Sequence, residues 1–136
     1  GGVGFLPNRN LEKVKREVTA AILDGTGEWV RDHHRVSFDR LHNEAYQLAP
    51  DHPLVDALHR GCVDAGLDPE VCGMVASCDA RLYYHRGDMP PVVFGPGSAR
   101  HAHSRDEQIR VGDILLAAES LVHLTRHWCG WIGTGR

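Results

Sequence analysis

The amino-acid sequence predicts an α/β fold, and three observations carry that expectation. Val92-Val93-Phe94 is an apolar run of strand length that breaks at Gly95-Pro96-Gly97, where the backbone must turn sharply. Residues 1–45 read as a strand, a helix and a second strand. A long run of helical spacing follows the central loop, with Ile114, Leu115, Ala118, Leu121, Val122, Thr125 and Trp128 in phase. Between the Gly-Pro-Gly turn and that helix the chain delivers His101 and His103, then the acidic pair Asp106-Glu107. Strand-end loops of this kind are where α/β proteins place ligands.

Each element has a local reason. Val3–Leu6 is a short apolar run stopped by Pro7, so it reads as a strand. Asn8 or Asn10 can cap the helix that follows, in which Leu11, Val14, Val18, Ala21 and Ile22 repeat at helical spacing. Asp24-Gly25 ends it, with Gly25 free to take the left-handed conformation. Arg35–Leu41 alternates in polarity as a second strand would. Residues 46–53 cross to a second part of the chain. Pro53 suits the first turn of a helix whose apolar face is Leu54, Leu58, Cys62 and Ala65, closed by Gly66. Val71–Ala76 reads as a strand, Leu82–His85 as the start of a short helix stopped at Gly87, and Gly130 ends the last helix.

The totals exclude several classes. With 136 residues the chain suits one domain of ordinary size, and 42% hydrophobic with 24% charged residues is an ordinary composition. A net charge of −3 supplies no basic field for nucleic acid, and no apolar run approaches a membrane span. The four cysteines, Cys62, Cys72, Cys78 and Cys129, form no Cys-x-x-Cys pair, so they read as reduced, buried thiols of a cytoplasmic protein rather than a structural zinc knot. Ten histidines suit a metal enzyme.

Phe94-Gly95-Pro96-Gly97, a short spacer and then Ala102-His103-Ser104-Arg105-Asp106-Glu107 resemble the last motif of the acetylornithine deacetylase and succinyl-diaminopimelate desuccinylase family, zinc-dependent amidohydrolases of the aminoacylase–carboxypeptidase clan. Upstream, Ser77-Cys78-Asp79-Ala80-Arg81 is similar to that family's Thr-x-Asp-Ala/Gly-Arg motif, with Ser77 in place of the usual Thr. The resemblance implies that residues 1–45 are half of an α+β lid, or dimerisation, domain. It implies that residues 46–136 are the C-terminal portion of an αβα zinc-peptidase-like catalytic domain. It also implies that His103 is a metal ligand and that Ser77, Asp79 and Arg81 lie on the substrate side.

Several residues carry a simpler reading alongside. His101 in an extended segment would point the same way as His103, and the motif register selects His103. Glu107 reads as a structural or supporting carboxylate, because the family's general base lies on an upstream Glu-Glu motif. Asp79 and Arg81 make an equally good ion pair bracing their loop. His33-His34 reads as solvated. His123 and His127, one helical turn apart, read as the exposed flank of an amphipathic helix, although they could bind a metal. Trp128 and Trp131 read as packing anchors.

The chemistry implied by the resemblance is hydrolysis of an N-acyl amide bond by two zinc ions, with cobalt or manganese as substitutes. The family's His-x-Asp and Glu-Glu motifs are absent from this sequence. No catalytic residue is therefore assigned, and the chain alone is expected to be inactive, since catalytic zinc takes three protein ligands. The implied partners are the remainder of the enzyme, a second copy through the lid, and a small N-acylated substrate. The alternative is a non-catalytic binding or dimerisation module with the same fold.

Overall fold

The computed structural model describes residues 3–39, 44–74 and 76–130. Five α-helices and one 3-10 turn make up its regular structure: α1 (Leu11–Leu23), α2 (Glu28–His33), α3 (Pro53–Asp64), α4 (Ala80–Gly87), the turn Ala99–His101 and α5 (Val111–Cys129). The expected strands at Val3–Leu6 and Val92–Phe94 do not form, and no strand is present among the described residues. The expected strands Arg35–Leu41 and Val71–Ala76 are likewise absent where they are described, while positions 40, 41 and 75 lie outside the described residues. The reason is physical. An apolar run becomes a strand only when a neighbour completes its hydrogen-bond ladder, and among the described residues none of these segments finds one.

The helices start and stop where the side chains dictate. Asn10 accepts from the Lys13 amide at 3.0 Å, capping α1. Lys15 pairs with Glu12, and Arg9 with Glu17, along its surface. Thr26 Oγ1 donates to the Leu23 carbonyl at 2.7 Å beyond its end, and Gly25 takes a φ of +71°. His52 caps α3 by accepting from the Leu54 amide at 3.1 Å, with Pro53 in the first turn. Gly66, at φ +83°, closes α3 as Leu67 donates back to Cys62. The six-residue helix α2 has no counterpart in the sequence reading. It is too short to show a period, and it is fixed by local contacts such as the Trp29–His33 ring stack at 4.6 Å.

The chain divides into two compact units, Gly1–Gln47 with Ala76–Met89, and Leu48–Val75 with Pro90–Arg136. The first holds α1, α2 and α4, and Val14 is its one buried apolar residue among those described. In the second, α3 packs along α5, and the closest approach is made by small residues. Val55, Ala57, Leu58 and Cys62 of α3 and its C-cap Ala65 are buried, as are Ala117 and Ser120 of α5. Gly61 lies so close that a Cβ there would stand 2.8 Å from both the Ser120 carbonyl oxygen and the Leu124 amide nitrogen. Small side chains at both surfaces let the two backbones approach.

This packing leaves several large apolar residues of α5 outward, while Leu116 and Leu124 are half-buried. Val111, Leu115, Leu121 and Val122 are exposed, and Trp128, expected to anchor the packing, is 48% exposed. Trp131 lies outside the described residues. Of the cysteines expected to be buried, Cys62 is and Cys78 is half-buried, while Cys72 and Cys129 are exposed; all four are free thiols. No helix among the described residues is long and apolar enough to cross a membrane.

Candidate functional site

The residues singled out by the two motifs fall in different units, Ser77, Asp79 and Arg81 in the first and His103 in the second. The His103 loop is a sequence of small locks. Ser98 Oγ accepts from the Arg100 amide at 3.3 Å and so starts the 3-10 turn. Ser104 Oγ donates to the His101 carbonyl at 2.8 Å and closes it. His103 then adopts φ +60°, the left-handed region that side-chain-bearing residues enter rarely. Its amide donates to Glu107 Oε2 at 3.1 Å, and the Glu107 amide donates to the Ser104 carbonyl at 3.3 Å. Glu107 thus bonds at both its side chain and its backbone across a four-residue loop, which holds His103 in its strained conformation. The His103 and His101 residues are exposed.

In the first unit, Arg81 is drawn back onto its own loop. Nη1 donates to the Cys78 carbonyl at 2.6 Å and to Asp79 Oδ1 at 3.1 Å. The bracing ion pair is therefore formed, although Asp79 itself remains largely exposed and Ser77 is exposed. Arg81 Nε is buried without a protein partner. Beside this loop the rings of Tyr46 and Tyr84 lie tilted at 34° with centroids 5.5 Å apart, and His85 Nε2 donates to the Ala45 carbonyl at 3.2 Å. Burial pushes the Tyr46 phenol up from its ordinary value, and the charge and hydrogen bond of Cys78 add to the rise. The sequence reading missed this pairing, because Tyr46 and Cys78 are far apart in the chain and neither has a local signature.

A third arrangement lies on the α3–α5 seam. His127 Nε2 donates to Asp64 Oδ2 at 2.7 Å, and His123 Nδ1 approaches the same oxygen at 3.8 Å. The two histidines on one turn were legible, but the carboxylate facing them from α3 was not. His33 and His34 turn onto the Trp29 and Arg31 carbonyls at 2.8 and 2.6 Å and stay exposed. Among the described residues, no three His, Cys, Asp or Glu side chains come together as a metal ion would require. His103 accordingly fits as a single donor and does not make a metal centre with the residues described.

The profile described as Peptidase family M20/M25/M40 matches residues 3–127 of this chain. A protein of Pyrobaculum aerophilum named a LysW-lysine/LysW-ornithine hydrolase is 31% identical over 78 residues, which is 57% of this chain and 23% of that protein. The chain thus spans about a quarter of the length of the curated relative it matches. No solved structure matches it.

Proposed function

The chain belongs to peptidase family M20/M25/M40, and from that premise we propose that it is the C-terminal portion of a metal-dependent hydrolase acting on N-acyl amide bonds of amino acids or related small molecules. The observation that carries the reading is the His103 loop. A histidine held at φ +60° by a carboxylate on its own amide is a strained residue fixed by its surroundings, and such residues concentrate at functional sites. The Ala102–Glu107 motif gives that histidine the role of a zinc ligand, and the hydrolase named among its relatives supports a substrate derived from an amino acid. By the resemblance, the other donors and the general base lie on the family's His-x-Asp and Glu-Glu motifs, which this sequence does not contain. Ser77 then lies on the substrate side, with the Asp79–Arg81 pair bracing its loop. Residues 1–45, the lid portion that the resemblance implies, are the part that would pair with a second copy.

The test is a comparison of His103→Ala with His101→Ala in the complete enzyme. His103→Ala should lose bound metal and more than about a hundredfold in amide hydrolysis, since supporting residues alone cost about 10–100-fold. His101→Ala should retain both within a few fold. Equal losses with equal metal content in the two variants would refute the assignment.

A further inference from the structure

Helix α3 ends where it faces two histidines. The close approach at Gly61, where a Cβ would meet the α5 backbone at 2.8 Å, brings the side chain of Asp64 onto α5 one turn later. His123 and His127 stand four residues apart on that helix, the spacing at which two imidazoles share one face and can hold one ion. Asp64 Oδ2 lies 2.7 Å from His127 Nε2 and 3.8 Å from His123 Nδ1. On the far side of the His123 ring, Glu119 Oε1 stands 3.9 Å from Nε2. The two imidazoles keep 22 and 28% of their side-chain surface in solvent and Asp64 keeps 45%, so an ion can reach all three and each can turn.

We propose that Asp64, His123 and His127 form a site for a divalent transition-metal ion of the zinc type, which clamps the C-terminus of α3 to α5. As they stand, the three donors are spaced for hydrogen bonding rather than round an ion. The difference is small. Ligand bonds of about 2.0–2.2 Å put neighbouring donors of a tetrahedral ion about 3.3–3.6 Å apart. The Asp64–His127 pair must therefore open by about 0.6–0.9 Å and the Asp64–His123 pair close by about 0.2–0.5 Å, movements that side-chain torsions supply. His127 takes the ion at Nε2 by carrying its ring proton on Nδ1 instead, with no change of charge. His123 offers Nδ1, and Glu119 faces its other nitrogen, where a carboxylate fixes the tautomer and raises the basicity of the ligand. Two imidazoles with one carboxylate suit zinc, cobalt, nickel or copper(II), whereas calcium and magnesium take oxygen ligands. Three protein donors leave the fourth position to water. None of these residues belongs to the two motifs, and the site stands whether or not His103 binds a metal. Because the donors come from two helices, the ion binds the folded chain far better than the unfolded one and stabilises their packing.

The experiment titrates zinc into the 136-residue chain and follows binding by calorimetry. Cys72→Ser and Cys129→Ser remove the exposed thiols, which would compete for the ion. One ion should bind per chain. Asp64→Asn, His123→Gln and His127→Gln should each weaken binding by at least about a hundredfold, and Glu119→Gln by about tenfold, the lower end for an outer carboxylate. At about a hundredfold excess over Kd, zinc should raise Tm by about 8–14 °C. His101→Ala with His103→Ala should retain both the affinity and the rise in Tm. Cobalt supplies a readout that does not depend on the stability of the variants: its visible absorption should intensify on entering the site and stay weak with His123→Gln. Binding that survives Asp64→Asn would place the ion on the helical pair alone and overturn the clamp. Binding lost with His101→Ala and His103→Ala but kept with His123→Gln would assign the ion to the loop and overturn the site, as would no binding up to millimolar zinc.

Discussion

Gly61→Ala is the sharpest probe of how this fold is held together. The added methyl would stand 2.8 Å from the Ser120 carbonyl oxygen, 2.8 Å from the Leu124 amide nitrogen and 3.3 Å from the Leu124 Cα. Favourable contacts between carbon atoms lie at about 3.5–4.0 Å. All three neighbours are backbone atoms of α5, so no side-chain rotation relieves the clash; the helices must separate along the seam. Overpacking of this kind costs about 1–3 kcal/mol, and the rigid neighbours put Gly61→Ala at the upper end. Against that, alanine in a helix interior is favoured over glycine by about 1 kcal/mol. The net expectation is a loss of about 1–2 kcal/mol, or a fall in Tm of roughly 3–10 °C for a chain of this size. Gly112→Ala, in the first turn of α5 with nothing within 4 Å, is the control and should be neutral or stabilising by up to about 1 kcal/mol. Urea and thermal unfolding followed by helical circular dichroism measure both. If Gly61→Ala raises the midpoint as Gly112→Ala does, the close approach of α3 and α5 is not what stabilises the second unit.

Three further outcomes follow from the geometry. His103→Gly should raise stability by up to about 1 kcal/mol, because glycine takes the left-handed conformation without the cost an L side chain meets there, while metal binding by the complete enzyme is lost; a stability unchanged from the parent in urea titration would show that the loop holds no strain. A double-mutant cycle of Asp64→Asn and His127→Gln should give a coupling of about 0.2–1 kcal/mol, the range for partly exposed pairs, and zero coupling would mean that the 2.7 Å contact does not brace the seam. The Tyr46 phenol is raised by burial and by Cys78, so the folded state holds its proton at a pH where the unfolded chain releases it; stability is complete below the ordinary tyrosine range and falls as pH rises through about 10. Tyr46→Phe should flatten that alkaline fall in pH-dependent denaturation, and an equally steep fall in the variant would refute the pairing.

The sequence reveals what is local in this chain and conceals what depends on neighbours. Asn10, Pro53, Gly66 and Gly130 mark helix ends by chemistry that acts within a turn, and α1, α3 and α5 begin or end beside them. The run Val92–Phe94 carries strand composition, yet a strand is a property of two segments, and the described residues supply only one. The His103 motif was legible as a pattern of residue types. The clamp from Glu107 and the left-handed backbone were not, because they arise only when the loop closes. The case of α5 is the most instructive. Hydrophobic periodicity picks out Leu115, Leu121 and Val122, all of which the structure leaves exposed. On α3 the pattern succeeds, since Leu58, Cys62 and Ala65 of its apolar face are buried; the residues at the closest approach, Gly61, Ala117 and Ser120, score poorly on any hydrophobic pattern, and Ser120 is fully buried, with its hydroxyl donating to the Leu116 carbonyl at 2.8 Å. Pattern measures how strongly a side chain avoids water, whereas close helix packing selects for how little space it takes. Where the two criteria choose opposite faces of one helix, both faces are suited to burial. In α5 it is the small-residue face that meets α3.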